Sequence, residues 1–243
     1  MHQGIYQIQE HTKIAEGIYS MTLRGETSVF TAPGQFLNIR LEGFYLRRPI
    51  SVCDWDASCV TILYRVVGGG TAALSRLRPG AALDVLAGLG NGFHMQAIPD
   101  GSVLVGGGIG VPPLYGLAKR LVRQGKRPSV ILGFKNSAEA FYESEFRALG
   151  VPVQVATEDG SLGAQGFVTA LLPERASYVC ACGPEPMLKA VYARCRDGQF
   201  SFEARMACGF GACMGCSCET KYGYKRICKD GPVMRKEEIL WEA

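Results

Sequence analysis

Four cysteines in the last forty residues stand as Cys208-x4-Cys213-x2-Cys216-x11-Cys228, the ligand spacing with which plant-type proteins hold a [2Fe-2S] cluster. Each of the two irons takes two thiolates besides the bridging sulfides, so four thiols are needed. Gly209, Gly211 and Gly215 stand between them, where small residues let the backbone curl tightly enough to reach both irons. The chemistry expected of this tail is single-electron transfer. Zinc competes for four thiolates, but structural zinc sites usually carry two CxxC-like knuckles. Here a single CxxC follows a four-residue gap and precedes one distant cysteine. Cys218 is a fifth thiol in the same loop and the alternative to Cys216, which is preferred because it keeps the two-residue gap. Disulfides are disfavoured: Met1–Glu10 (MHQGIYQIQE) has no apolar signal-peptide core, so nothing directs the chain to an oxidising compartment.

A second chemical signal is the run Gly106-Gly107-Gly108-Ile109-Gly110-Val111-Pro112-Pro113. Placed after a strand and opening a helix, such a turn brings dinucleotide phosphates close to backbone N–H groups and to the positive end of a helix dipole. A glycine-rich turn alone is weak support, because any tight strand-to-helix junction favours glycine. The run also departs from the dehydrogenase fingerprint. Pro112 stands where the third glycine belongs, and no acidic residue closes the next strand at Gly133-Phe134-Lys135-Asn136, so the rule does not separate NAD from NADP.

The elements that must position these groups change character along the chain. Residues 1–98 read as short strands (Gly4–Gln9, Ile18–Leu23, Gln35–Leu41, Ile50–Trp55, Cys59–Val67, Ala82–Ala87) with one helical stretch, Gly70–Leu77. Many short strands with turn signals and little helix predict an antiparallel barrel. Residues 99–200 alternate instead: Ser102–Val105, Ser129–Phe134, Val151–Thr157 and Tyr178–Ala181 as buried strands, with helices over Leu114–Gln124, Ala138–Leu149, Gly166–Leu172 and Pro186–Arg196. That rhythm predicts right-handed crossovers and a doubly wound parallel sheet. The fold class is therefore multi-domain α/β: barrel, parallel sheet, and a small cluster domain over residues 201–243. With 243 residues and 47% hydrophobic content the chain can bury two modest cores plus a cofactor-stapled appendage. The net charge of +4 is spread thinly, without basic clusters or interleaved aromatics, which argues against a nucleic-acid partner. No apolar run approaches the ~18 residues of a membrane span. The expectation is a cytoplasmic protein with reduced thiols.

The residues also carry a family resemblance. Arg47-Arg48-Pro49-Ile50-Ser51-Val52, Tyr64-Arg65-Val66-Val67-Gly68-Gly69-Gly70-Thr71, Gly107 through Leu114, and Cys182-Gly183-Pro184-Glu185-Pro186-Met187 together resemble the ferredoxin-NADP reductase superfamily. The tail, Glu203 through Gly209 and Cys228 through Val233, with Leu89-Gly90-Asn91-Gly92-Phe93, narrows this. It resembles the electron-transfer subunits of type B dihydroorotate dehydrogenase across essentially the whole chain.

That resemblance implies an FAD-binding barrel, an NAD-binding sheet and a [2Fe-2S] tail. Arg48 would pair with the FAD pyrophosphate through a planar guanidinium, with Pro49, Ile50 and Ser51 beside the isoalloxazine and Ser51 near N5. Arg65, Val66 and Val67 would run along the flavin by main-chain contacts. Gly70 and Thr71 would offer backbone and hydroxyl donors to FAD phosphate. Gly107, Gly108, Gly110, Cys182, Gly183 and Pro184 would flank the nicotinamide, and Cys208, Cys213, Cys216 and Cys228 would hold the iron. Cys182 is read equally as a small buried residue or as a contact at the reacting cofactors, and not as a nucleophile, while Cys53, Cys59, Cys180 and Cys195 are read as small hydrophobes. His2, His11 and His94 carry no catalytic signal. Nicotinamide exchanges electrons in pairs and the cluster singly, so a flavin must stand between them. The resemblance further implies a partner, an FMN-containing dihydroorotate dehydrogenase catalytic subunit, in a heterotetramer of two copies of each, serving pyrimidine biosynthesis. The chain has too few alternating units to hold that substrate barrel itself. Two other functions fit the same residues. One is the small flavin subunit of an NADH-dependent ferredoxin:NADP oxidoreductase or of a sulfide dehydrogenase. The other is a non-enzymatic docking module with a zinc tail.

Overall fold

The computed structural model describes residues 1–241. Six strands open the chain: β1 (His2–Ala15), β2 (Ile18–Arg24), β3 (Phe36–Ile39), β4 (Arg48–Trp55), β5 (Cys59–Arg65) and, after the short helix α1 (Gly69–Leu74), β6 (Ala82–Leu89). They close an antiparallel barrel in the order β1-β2-β5-β4-β3-β6. Ile8, Met21, Leu23, Leu37, Ile39, Val60, Ile62 and Val85 meet inside it, and each such burial stabilises by roughly 1.5–3 kcal/mol. β1 is far longer than the Gly4–Gln9 expected. It pairs with β6 through its first half and with β2 through its second, with register shifts at Ile8/Glu10 and Lys13/Ala15. Those shifts bend one strand around the closure.

The parallel sheet is built from β7 (Val103–Gly107), α2 (Val111–Arg123), β8 (Ser129–Phe134), α3 (Glu143–Ala148), β9 (Val153–Thr157), β10 (Ala164–Gln165), β11 (Ala176–Cys182), α4 (Glu185–Arg194) and β12 (Cys195–Ser201). Its order β10-β9-β8-β7-β11-β12 reverses direction between β7 and β11, the doubly wound arrangement. Alternate residues of each strand serve opposite cores. Leu104, Leu132 and Cys180 pack with Leu114, Leu117 and Leu121 of α2 and with Ile18, Cys53 and Leu63 of the barrel. Val105, Ile131 and Val179 pack with Leu188 and Val191 of α4, and that second core continues into Phe36 and Leu89 of the barrel and into Cys216, Ile227 and Cys228 of the tail. The tail contains a hairpin, β13 (Ser217–Thr220) with β14 (Gly223–Arg226), and then β15 (Val233–Arg235), which pairs antiparallel with β12. The tail is thus continuous with the sheet and leans on the barrel.

Three helices differ from expectation. Over Ala138–Leu149 the chain forms a 3₁₀ turn at Ser137–Glu139 and only then α3, with Tyr142 left-handed at φ 67°. Tertiary contacts override helical propensity here. Ala138 O accepts the Glu16 N–H of the barrel at 2.9 Å, while Phe141 packs on Phe134 and Tyr142 edge-on to Tyr115. Gly166–Leu172 contains just a 3₁₀ turn, Val168–Ala170, after Gly166 at φ 111°. The helix expected over Pro186–Arg196 ends at Arg194 and runs directly into β12. That strand escapes a hydrophobicity reading because its sequence is CRDGQFS, with Gly198 pressed against the Val179 carbonyl.

Candidate functional site

The tail brings its four thiols together in two pairs. Cys208 and Cys213 have their Sγ atoms 3.4 Å apart, and the Cys213 N–H donates to Cys208 Sγ. The Cys228 N–H donates to Cys216 Sγ at 3.4 Å, and both of these residues are buried. Among the described residues no three His, Cys, Asp or Glu side chains converge as a one-ion site. One pair per iron suits a two-iron cluster, whereas a zinc ion draws all four thiolates to a single centre. Cys218 belongs to neither pair: it lies in β13 opposite Lys225. Burial pushes the Cys208 thiol up, but N–H donors from Cys213, Phe210 and Gly211 outweigh it and bring the value down to about 6. Those donors approach because Gly209 and Gly211 take φ of 75° and 90°. Cys228 is pushed up to about 12 by burial and by the neighbouring Cys216 and Cys208 thiols. Asn38 of β3 is buried beneath this loop, its Nδ2 donating to the Cys208 carbonyl at 3.4 Å while its Oδ1 has no partner.

The barrel residues expected at the flavin lie on one open stretch. In β4, Arg48, Pro49, Ile50 and Ser51 are half-buried, whereas Val52 and Cys53 beyond them are covered. The Arg48 guanidinium sits 4.8 Å from the Phe44 ring centroid and so close to Gly70 that any Cβ there would collide with it. Arg65 and Val66 are half-buried and Val67 is exposed. The Thr71 hydroxyl accepts the N–H groups of Val67 and Gly68 and donates to the Gly68 carbonyl. It therefore shapes the turn, and the N–H groups of the first turn of α1 remain as the free donors.

A cleft of ≈ 610 Å³ runs from Arg65 past Gly107 and Gly108 to Phe167. Gly107 and Gly183 of its lining, with Gly110 behind it, let the backbones approach closely. A Cβ on Gly107 would lie 2.5 Å from Met187 Sδ, one on Gly110 would strike the Cys182 carbonyl, and Gly183 sits at φ 157° against Gly107. Pro112 and Pro113 occupy the first turn of α2 and have no N–H, while the Val111 N–H already donates to Gly108 O. A pyrophosphate would therefore meet the glycine turn itself more than the helix end. Arg65 bonds Glu139 at 2.7 Å, joining the barrel to the sheet beside Gly108. The Arg65 hydrogen bond holds Glu139 below the usual carboxylate range against the opposing effect of burial. Cys182 is buried, and burial first, then the Glu203 charge, pushes its thiol up to about 12. It is protonated at neutral pH, as expected of a packing residue. Glu203 is exposed and opens on the cleft, and the partial loss of water around its carboxyl pushes it up.

Glu139, Glu158 and Phe167 were not singled out by motif, and Glu203 entered only as the first residue of the tail resemblance. Glu139 sits inside the misassigned helix, Glu158 follows the last residue of β9, and Phe167 sits in a second misassigned helix. Glu203 precedes the cysteines at a place that only the fold brings to the cleft. Among the described residues no helix is long and apolar enough to cross a membrane.

A closed antiparallel barrel, a doubly wound sheet with a glycine-walled cleft at its switch point, and a paired-thiol tail define a protein of the ferredoxin reductase fold with an iron-sulfur extension. Residues 203–240 match the iron-sulfur cluster binding domain of dihydroorotate dehydrogenase B. The chain is 44% identical to a dihydroorotate dehydrogenase B (NAD(+)) electron transfer subunit from Shouchella clausii over 98% of each chain. It is 46% identical to that of Bacillus caldolyticus over 93% of this chain and 94% of that one. Among solved structures, one of an NADH-dependent reduced ferredoxin-NADP oxidoreductase superposes with a TM-score of 0.87 at 31% identity, covering 98% of this chain and 90% of that one. The chain belongs to the electron transfer subunits of dihydroorotate dehydrogenase B.

Proposed function

We propose that this chain carries electrons between NAD and the FMN-containing catalytic subunit that oxidises dihydroorotate, as the electron-transfer component of an NAD-dependent oxidoreductase of pyrimidine biosynthesis. Bound FAD and the [2Fe-2S] cluster supply the conversion between the paired electrons of nicotinamide and single ones. The chain's own residues bind and align. Arg48 and the N–H groups at Gly69 and Gly70 neutralise the FAD pyrophosphate, while Pro49, Ile50, Ser51, Arg65, Val66 and Val67 form the surface along the isoalloxazine. Gly107, Gly108, Gly110, Cys182, Gly183 and Pro184 leave room for nicotinamide to lie against the flavin, and Cys208, Cys213, Cys216 and Cys228 hold the irons. The observation that carries this reading is the division of those four thiols into two pairs, packed on the same barrel that presents Arg48.

The working assembly is two copies of each subunit in the cytoplasm, with residues 1–98, 99–200 and 201–243 serving flavin, nicotinamide and cluster. Phe210, Met214, Tyr222 and Tyr224 are exposed around the cysteine loops and supply apolar area for the catalytic subunit. The test is anaerobic co-purification with the binding partner, followed by metal and flavin analysis and an assay of NAD-linked dihydroorotate oxidation. Expected are stoichiometric FAD, two irons per chain and FMN in the partner. A colourless zinc-loaded protein would defeat the electron-transfer reading. A partner without FMN, or activity only with ferredoxin or sulfide, would defeat the dihydroorotate assignment alone and favour the oxidoreductase type matched at 31% identity.

A further inference from the structure

Strand β3 divides its side chains between two environments. Leu37 and Ile39 belong to the barrel core, so Phe36 and Asn38, which alternate with them, face outward. Phe36 joins Leu86 and Leu89 in the apolar core shared with Cys216 and Cys228 of the tail. Asn38 stands on the same face, 1% exposed, with Leu86 opposite it on β6. An apolar side chain would suit that place better. Asn38 Oδ1 is, among the described residues, the one buried side-chain nitrogen or oxygen without a partner, and an orphaned buried acceptor destabilises a fold. Packing alone does not account for an asparagine there.

The neighbouring strand supplies a reason. Across β3 and β4, Pro49 lies opposite Asn38 and Ser51 opposite Phe36. Opposed residues share a sheet face, with Cβ atoms about 4.5–5.5 Å apart. The flavin surface at Pro49 and Ser51 and the cysteine loop over Phe36 and Asn38 therefore adjoin on one face of the barrel, and Asn38 marks their boundary. On its tail side the Asn38 Nδ2 donates to the Cys208 carbonyl at 3.4 Å, and a Cβ on Gly209 would lie 2.2 Å from that nitrogen. This contact orients the amide, since the opposite rotamer would set Oδ1 against the Cys208 carbonyl oxygen.

We propose that Asn38 is the positioning residue that couples flavin to cluster: its amide seats the Cys208 loop beside the flavin face and turns its N–H end toward that loop, which favours the reduced cluster. Hydrogen-bond donors around the ligands of such a cluster help set its potential. In the step concerned, one electron leaves the reduced flavin and the cluster gains it, and no bond is made or broken at Asn38. The inference rests on the reading of β4 as the flavin strand and of the tail as a [2Fe-2S] site. The experiment uses the full chain loaded anaerobically with FAD and iron. Its readouts are thermal melting, a redox titration of the cluster's paramagnetic signal, and stopped-flow traces of flavin bleaching by NADH and of the cluster reduction that follows. Asn38→Leu removes an orphaned acceptor and should melt at or above wild type. Its flavin should bleach within about twofold of the wild-type rate, while cluster reduction slows at least tenfold and the flavin–cluster equilibrium shifts about tenfold toward the flavin, ~59 mV for one electron. Asn38→Asp keeps the shape but replaces the donor with an acceptor, and should shift the equilibrium further the same way. An equilibrium and a transfer rate within about twofold of wild type in whichever variant retains its iron, or loss of iron from both, would overturn the proposal and leave Asn38 a packing residue of the loop. A wild-type chain that binds FAD but shows no paramagnetic signal on reduction would overturn the reading of the tail instead.

Discussion

A serine at Cys213 takes away the thiol paired with Cys208, and it leaves the Arg48 strand and the Arg65–Phe167 cleft untouched. Cys213→Ser should therefore keep the rate of flavin bleaching by NADH within about twofold, while electrons stop at the flavin and never reach the partner. Loss of both steps together would mean that the tail is needed to fold the rest. Glu139 gives a pH signature. Its carboxyl is depressed in the folded chain, first by the Arg65 hydrogen bond, so it binds a proton more weakly folded than unfolded. The stability it contributes is present above the ordinary glutamate value of ~4.3 and is lost as pH falls through the lower folded value. Wild type should melt above Glu139→Gln at neutral pH, and the two curves should merge in acid. A gap unchanged with pH would show that the ion pair contributes nothing. The cysteines were legible in sequence because their spacing is itself the constraint. The Arg65–Glu139 pair was not, because its members stand 74 residues apart and meet only when barrel and sheet dock.

The loop Leu89–Phe93 shows how an element can serve the cluster without touching it. The Asn91 N–H donates to Gly231 O at 2.7 Å, its Nδ2 donates to Asp230 O, and its Oδ1 accepts the Val233 N–H. One side chain thus fixes the segment between the last cluster cysteine and β15. Asn91→Ala removes its two side-chain bonds at an exposed position, where water partly replaces them, and should cost about 0.5–1.5 kcal/mol. The expected outcome is faster iron loss to a chelator with FAD content unchanged, read by visible absorbance. Iron retention equal to wild type would remove Asn91 from this role. At this scale, strands with strong alternation such as β2 and β5 were readable, since each buries one face in the barrel. The two shortened helices and β12 were not, since contacts remote in sequence decide whether those residues turn, coil or extend.

At the scale of the whole molecule, hydride transfer requires the barrel and the sheet to hold flavin and nicotinamide in register, and the joint between them is visible. Helix α2 lies on β4 with Gly116 so close to the Cys53 carbonyl that a Cβ would collide with it. Beside that contact Asp54 bonds Lys119 and accepts from Arg120 Nη1 at 3.2 Å, and the Arg120 guanidinium stacks 3.5 Å over Trp55. The joint is therefore a backbone approach locked by a charged clamp, and its residues Cys53, Asp54, Trp55, Gly116, Lys119 and Arg120 do not line the Arg65–Phe167 cleft. Gly116→Val should push the two units apart without altering either binding surface. Because a misplacement of about 1 Å can cost ~10²-fold in rate, flavin bleaching by NADH should slow at least tenfold while FAD and iron contents stay at wild-type levels. Asp54→Asn, which loosens the clamp without adding bulk, should give a smaller loss in the same step. If both variants fold, retain their cofactors and bleach at the wild-type rate, then the alignment is set elsewhere, with the Arg65–Glu139 pair and the Glu16–Ala138 backbone bond as the next links between the two units.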